Sequence, residues 1–376
     1  DSNGENGHIL LEPTSTNLVA YSEDFSEWTN TASETTDTPN SVTSPSGESN
    51  ATKLQEANSS NSFHRLSKTI SLSSATDYSL SVFAKKGTLS NMQLILLNTS
   101  DSKLISKVFN LENGTLGETL TNGAGGALTD SKIEDIGNGW YRCSIVGQLS
   151  TAPNTFRVNL ANASTGNTTS NGMVQYTGDG NGNIYIYGAQ LEELPYATSY
   201  IPNHGTAVGV TRATETLNGS GNSTLINSTE GVLYFELSSF YDNANSLSIN
   251  DGSSSKRITA RVRPDISKIQ LTVVGSTDDF NYNSATIDLS INNKIAIVYN
   301  NGDYYFYVNG VKSTVQSRGT FSANDFTSLD FNRGGGNEPF YGKCKALAVF
   351  NEALSDDELE LLTGVTNYGS FGELAS

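Results

Sequence analysis

The chain of 376 residues is poor in several residue types that specialise proteins: it has 2 Cys, 2 Met, 2 Trp, 3 His and 8 Pro. Two cysteines, Cys143 and Cys344, are too few and too far apart for the disulfide framework of a small secreted module, and they read as buried thiols. Basic residues are scarce: 22 Lys and Arg stand against 39 Asp and Glu, a formal net charge of −17. Gripping a phosphate backbone takes clustered Lys and Arg, so nucleic acid is excluded as a partner. Long apolar runs are missing too. A membrane-spanning helix needs ~20 consecutive apolar residues, whereas the longest run here lies near Leu94, Ile95, Leu96 and Leu97. Charged residues make up only 16% of the chain, too few for a coiled coil. What the chain does have, 17 Tyr and 15 Phe, excludes disorder. It starts at Asp1 without Met or a charged-then-apolar leader, so a processed chain or a fragment of a longer polypeptide is expected. Asn-x-Ser/Thr triplets such as those at Asn50, Asn58, Asn98 and Asn113 follow from the Asn/Ser/Thr-rich composition and carry no reading of glycosylation.

Apolar residues recur with a period of two, and helical periodicity is nearly absent. In residues 78–84, Tyr78, Leu80, Val82 and Ala84 share one face, with Phe83 on the other. Further strands are expected at 63–70, 92–97, 103–110, 139–146, 155–160 and 183–191, separated by Gly/Asn/Asp-rich turns such as 122–126 and 178–183. Residues 217–229 have the Gly/Ser/Asn composition of a soft linker. Strands resume at 232–238, 256–262, 268–274 and 294–300. Asn309-Gly310 between 304–308 and 311–314 is a two-residue hairpin turn, because both central positions need positive φ. One helix is expected near the end: Ser355 and Glu358 form a capping box, Asp356 and Asp357 complement the helix dipole, Leu359 and Leu362 share a face, and Gly364 ends it. The fold class is therefore all-β, two tandem β-sandwich (jelly-roll) domains with one short C-terminal helix in the second. The expected boundaries are 1–216 for the first domain, 217–229 for the linker, 230–365 for the second domain and 366–376 for a tail.

The second domain resembles the laminin-G-like, concanavalin A-like sandwich family. The resemblance is carried by Glu230-Gly-Val-Leu-Tyr-Phe-Glu236, Lys294-Ile-Ala-Ile-Val-Tyr299, Tyr304-Tyr-Phe-Tyr-Val-Asn-Gly-Val311, and a closing strand from Phe340 that runs through Ala346-Leu-Ala-Val-Phe-Asn-Glu-Ala-Leu-Ser-Asp-Asp-Glu-Leu359. The first domain resembles carbohydrate-binding-module jelly rolls of bacteriophage tail proteins. There the residues are the stretch from Leu10 to Trp28, Asn138-Gly-Trp-Tyr-Arg-Cys143, Tyr176-Thr-Gly-Asp-Gly180, Tyr185-Ile-Tyr-Gly-Ala-Gln-Leu-Glu-Glu193, Tyr196-Ala-Thr-Ser-Tyr-Ile-Pro202 and Thr211-Arg-Ala213. The pairing implies a virion tail appendage, or an otherwise extracellular protein, that recognises cell-surface glycans alongside other virion tail proteins. The resemblance also implies a homotrimer. No cofactor is certain. Modules of this kind commonly hold a structural calcium (Ca2+), for which Glu23 and Asp24 would be the metal ligands with backbone oxygens. The matching position on the final strand is Gly188, between Tyr187 and Ala189, which lacks the carboxylate that calcium needs.

Catalytic signatures are absent: no His-Glu-x-x-His, no Gly-x-Ser-x-Gly and no phosphate-binding Gly-rich loop. His8, His64 and His204 are isolated in sequence. Sandwich glycosidases set two carboxylates about 5–9 Å apart across the sugar, and no strand here carries such a pattern; Glu236 stands alone on its strand. The chain is therefore read as no enzyme. Glycan binding needs aromatic faces for the sugar's apolar face and amide, carboxylate or guanidinium groups for its hydroxyls. The candidates are Tyr282 with Asp278, Asp279 and Asn281, the loop carrying Asn332, Arg333 and Asn337, and, in the first domain, His64, Arg65, Trp140 and Arg142. Competing roles are core packing for Trp28 and Trp140 and a local pair with Asp330 for Arg333. A ligand-free fibre spacer and an accessory binding region of a polysaccharide-degrading enzyme are the rival functions.

Overall fold

The computed structural model describes residues 7–30, 34–72, 74–122, 125–239, 241 and 243–364. The tail at 366–376, and residues 123 and 124 of the expected turn at 122–126, lie outside the described residues. The structure is all-β, and its single α-helix among the described residues is Asp356–Thr363.

Two compact units are present, Thr14–Ala213 and a second made of Asp1–Pro13 with Thr214–Ser376. The first unit stacks two six-stranded antiparallel sheets. One runs, in order, Thr115–Asn122, Lys103–Asn110, Asn91–Asn98, Thr155–Ala161, Arg65–Thr69 and Thr29–Asn30; the other runs Gly126–Gly137, Trp140–Leu149, Asp77–Lys86, Asn183–Glu192, Ala51–Glu56 and Thr35–Val42. The period-two pattern decides what each face meets. Tyr78, Leu80, Val82 and Ala84 enter the core between the sheets, where they join Leu94, Leu96, Phe156 and Val158, while Phe83 packs outside with Trp140 and Tyr187. Trp28 is also core, 4% exposed, with its ring 5.1 Å from that of Phe156.

The other unit is a sandwich of a seven-stranded and a five-stranded sheet. The larger orders Ile9–Leu11, Gly342–Phe350, Glu230–Ser238, Asn293–Asn300, Asp303–Val308 and Val311–Lys312, with Gln316–Ser317 also on Asp303–Val308. The smaller orders Phe280–Asn283, Lys268–Val274, Arg257–Arg263, Asn245–Asn250 and Ser328–Asp330. Leu233, Phe235 and Leu237 from one sheet meet Leu247, Ile258 and Leu271 from the other. The hairpin closes as expected: Val308 pairs with Val311, and Asn309 and Gly310 adopt φ of 50° and 80°. Ser355 accepts from the Glu358 amide while Glu358 Oε2 accepts from the Ser355 amide at 2.8 Å, and Leu359 and Leu362 bury against the outer face of the larger sheet. Gly364 caps the helix with φ −59°, so its left-handed freedom is not used.

Two expected boundaries are corrected. The N-terminal strand Ile9–Leu11 pairs with Gly342–Phe350, with Ile9 opposite Cys344 and Leu11 opposite Gly342, so residues 7–13 are built into the second sandwich and not into the first domain. The stretch 217–229 is no free linker. The Gly219 amide donates to Asp330 at 2.6 Å, Ser220 exchanges backbone bonds with Leu329, and Ile226 lies in the core at 1% exposure. Its polar composition misled because one buried isoleucine and strand-edge hydrogen bonds suffice to dock it.

Replacing Ile226 with Ala leaves a cavity in that core and is expected to destabilise this unit by ~3 kcal/mol. Denaturant unfolding checks this: a free linker would tolerate the change with no shift of the midpoint.

Candidate functional site

Strand alternation builds a polar surface on the outer face of the five-stranded sheet. Ile258, Ala260 and Val262 point into the core, so Arg257, Thr259 and Arg261 are set on the opposite face. The register lines polar residues in rows across the strands: Ser248, Thr259, Thr272 and Asn281 in one, Ser246, Arg261, Gln270 and Asn283 in the next. The Thr272 hydroxyl donates to Asn281 Oδ1 at 2.7 Å, and Gln270 Nε2 donates to Asn283 Oδ1 at 2.9 Å. Arg261, Thr272 and Asn281 of these rows join Arg257, Asp279 and Arg333 in lining a groove of about 250 Å³.

Arg333 reaches the groove from the loop between Phe331 and Phe340. Gly334 in that loop has φ +93°, and a Cβ there would stand 2.3 Å from the Ser253 carbonyl oxygen, so only glycine lets the loop press on the turn at 251–256. The Arg333 amide donates to the Asn337 carbonyl at 2.7 Å. Its guanidinium shares Glu338 with Arg261: Arg261 Nε and Nη2 donate to the two carboxylate oxygens at 2.7 and 2.8 Å, and Arg333 Nη1 donates to Oε1 at 3.0 Å. Glu338, not Asp330, is thus the partner of Arg333; Asp330 accepts from Asn250 and Ser328 instead. Burial first, then the neighbouring Arg333 charge, holds the Arg257 guanidinium below its usual pKa.

Of the residues singled out in sequence, Asn281 and Arg333 meet in this groove together with Asp279. Tyr282 does not. Residues 280–283 form a strand, so Tyr282 points opposite to Asn281, packing on the core with its ring 5.6 Å from that of Phe306. Asp278 is exposed and pairs with Arg318 at 3.2 Å. Asn332 is buried, donating to Asn218 and accepting from the Gly334 amide, while Asn337 is exposed on the loop. Sequence reasoning missed Arg257, Arg261 and Thr272; alternation with the core residues between them was the signal that finds them.

In the first unit the expected residues scatter. His64 is fully buried, its ring nitrogens facing the carbonyls of Glu34 and Tyr176 at 2.8 and 3.3 Å. Trp140 is 2% exposed and donates to the Thr43 carbonyl, so its face is not offered for stacking. Arg142 donates to Ser81 and lies over the Phe83 ring. Arg65 reaches a groove of about 330 Å³, where it meets Arg157, Glu34, Ser67 and Thr155. Arg65 Nε donates to Glu34 at 2.8 Å, and burial with the Arg65 charge brings the Arg157 pKa down to about 10.

The residues proposed for calcium do not fit it. Glu23 Oε1 accepts from the Tyr187 and Tyr200 hydroxyls at 2.8 and 3.1 Å, and its other oxygen meets His204 Nδ1, so His204 is not isolated. Burial and this bond push Tyr187 up to about 12. Asp24 is turned elsewhere, accepting from the Ser26 amide and hydroxyl to cap the short turn Phe25–Glu27. Gly188 sits at a bulge with φ +58°, where a Cβ would stand 2.9 Å from the Tyr200 ring, so no carboxylate can be carried there. Among the described residues no group of three or more His, Cys, Asp or Glu is placed to hold a metal ion.

A polar groove on a lectin-like β-sandwich is the class that fold and site define. Residues 232–360 match the model of the concanavalin A-like lectin/glucanases superfamily, and this region is a laminin-G-like, concanavalin A-like lectin domain. No curated protein matches the chain. Among solved structures the chain is similar to domain 4 of AbnA, a GH43 extracellular arabinanase from Geobacillus stearothermophilus in complex with arabinotriose, at 15% identity over 42% of this chain and 78% of that one, with a TM-score of 0.32. It is also similar to domains LG4-5 of the mouse laminin alpha1 chain, at 10% identity over 84% and 92% with a TM-score of 0.27. A third is Trypanosoma rangeli sialidase, at 8% identity over 83% and 60% with a TM-score of 0.29. No helix among the described residues is long and apolar enough to cross a membrane.

Because Glu23 is already satisfied by two phenols and a histidine, millimolar calcium or its removal by a chelator is expected to leave the melting temperature unchanged. A calcium-dependent rise in differential scanning calorimetry would contradict that assignment.

Proposed function

We propose that the chain is a non-enzymatic glycan-binding protein that holds sugar in the groove over the five-stranded sheet of its lectin-like domain. The observation that carries this reading is the convergence of Arg257, Arg261, Arg333, Thr272 and Asn281 on one concave surface of a lectin-type sandwich. Guanidinium, amide and hydroxyl groups are what sugar hydroxyls and ring substituents require, and all of them but Arg333 stand on strands, which fix them better than loops do. The non-enzymatic part is supported by the state of the acids near the groove. Glu338 has its oxygens taken by two guanidiniums, and Asp279 accepts from the Gly275 amide, so neither is offered as the free acid–nucleophile pair that glycoside hydrolysis uses.

The finer placing is a phage tail appendage, extracellular on the virion, that acts as a homotrimer beside other tail proteins and touches host-surface glycans. It is supported by the jelly-roll motifs of residues 10–213 and by the acidic, Asn/Ser/Thr-rich composition.

On a broad glycan array the full chain is expected to bind a restricted set of glycans. Asn281→Ala is expected to weaken that binding about tenfold, the worth of one hydrogen bond to a ligand. Tyr282→Leu should instead lower the melting temperature and spare the affinity of the folded protein. An array without a single bound glycan removes the reading.

A further inference from the structure

The lining of the groove holds more guanidinium than carboxylate. Arg257, Arg261 and Arg333 line it with one carboxylate, Asp279, while Glu338, committed to two of the three guanidiniums, and Asp251 act on Arg257 from outside the lining. Among the described residues no carboxylate makes an ion pair with Arg257. Its Nη1 donates to the Ser254 carbonyl, a neutral acceptor, although the residue is only 8% exposed. A guanidinium this buried is normally paired, because desolvating a charge without a counter-charge costs free energy.

Three polar atoms of the same surface are also buried without a hydrogen-bond partner: Arg257 Nε, Arg333 Nε and Thr259 Oγ1. Thr259 lies between Arg257 and Arg261 on the strand and is fully buried. Buried donors left unmade are uncommon in folded proteins. Two of the three belong to guanidiniums, whose planar forks match a carboxylate or sulfate group. The surplus stands out further because the chain as a whole carries −17. An acidic protein repels acidic polymers, so a positive groove on it has to be built deliberately, side chain by side chain.

From these observations we infer that the groove takes an anionic sugar residue, one whose carboxylate or sulfate group sits between Arg257 and Arg333. The inference rests on the glycan-binding reading of the same groove and narrows it to acidic glycans. The incoming anion supplies the direct ion pair that Arg257 lacks among the described residues, where its Nη1 has only the Ser254 carbonyl. Arg261, held bidentate by Glu338, acts as a positioning residue that keeps Glu338 and through it Arg333 in place.

The test is a glycan array carrying neutral, uronate-bearing, sialylated and sulfated glycans, read with the full chain at low and at physiological salt. The expected result is binding confined to acidic glycans, falling as salt rises, with the carboxylate and sulfate arms showing which anion is preferred. Arg257→Gln and Arg333→Gln should each reduce binding of the best acidic glycan by about tenfold or more, with thermal melts confirming that the variants are folded. If Arg257→Gln does not fold, Arg333→Gln on the exposed loop decides the matter alone. Binding of neutral glycans as tight as that of acidic ones overturns the anionic inference and leaves the glycan reading standing. Acidic binding that survives both substitutions overturns the assignment to this groove, and no binding to any glycan overturns inference and reading together.

Discussion

The two-residue pleat of the strand Arg257–Arg263 is the constraint on which the rest of the lectin-like unit depends. One set of alternate positions, Ile258, Ala260 and Val262, closes the core against the seven-stranded sheet. The other set, Arg257, Thr259 and Arg261, is thereby fixed on the far face with no freedom to turn away. Neighbouring strands repeat the division, since Leu247 and Ile249 face inward beside Ser246, Ser248 and Asn250, and Leu271 and Val273 beside Gln270 and Thr272. A shift of one residue in register would exchange the two faces, placing arginines in the core and isoleucines in the groove. Core packing and groove chemistry are therefore enforced together, and the hydrophobic cost of a slip protects the polar surface.

Much of this was legible from sequence where the signal was local. Tyr78, Leu80, Val82 and Ala84 all reach the core as their alternation predicts. The Asn309-Gly310 turn and the Ser355–Glu358 capping box involve residues only a few positions apart, and each has the geometry its residue types require. What failed was non-local. Ile9–Leu11 pairs with a strand more than three hundred residues later, and nothing in those few residues says which sheet edge they will extend. Residues 217–229 have the composition of a linker, yet their backbone groups find partners on the strand Ser328–Asp330, a pairing that composition cannot reveal.

The candidate site shows the same division. Tyr282 was grouped with Asp278 and Asn281 because they are adjacent in sequence, but adjacency in a strand means opposite faces. The period-two rule that located the core strands, applied to residues 280–283, separates Tyr282 from Asn281. Arg333 was found in the right loop with the wrong partner. Its ion pair depends on how the loop folds back on itself at Gly334, which sets Glu338 and not Asp330 against the guanidinium.

The fate of the aromatics bears on how such a groove recognises sugar. The largest fully buried side chains include Tyr234, Tyr299, Tyr304, Tyr307, Phe235, Phe306, Phe326 and Phe340, all spent on packing in this unit. Phe280 is the aromatic residue on the groove's lining among the described residues, and its ring is engaged by Tyr304 and overlain by Arg318. With that ring already engaged, stacking on the apolar face of a neutral sugar has little to act through among the described residues. Hydrogen bonds and charge remain. In a half-buried site those are stronger than at an open surface, because the lower effective dielectric strengthens both. A surface of guanidiniums, amides and hydroxyls without an aromatic platform discriminates by substituent and not by ring face, which is why Arg257, held by a neutral carbonyl and by no direct ion pair among the described residues, defines more than the count of polar residues what the groove can hold.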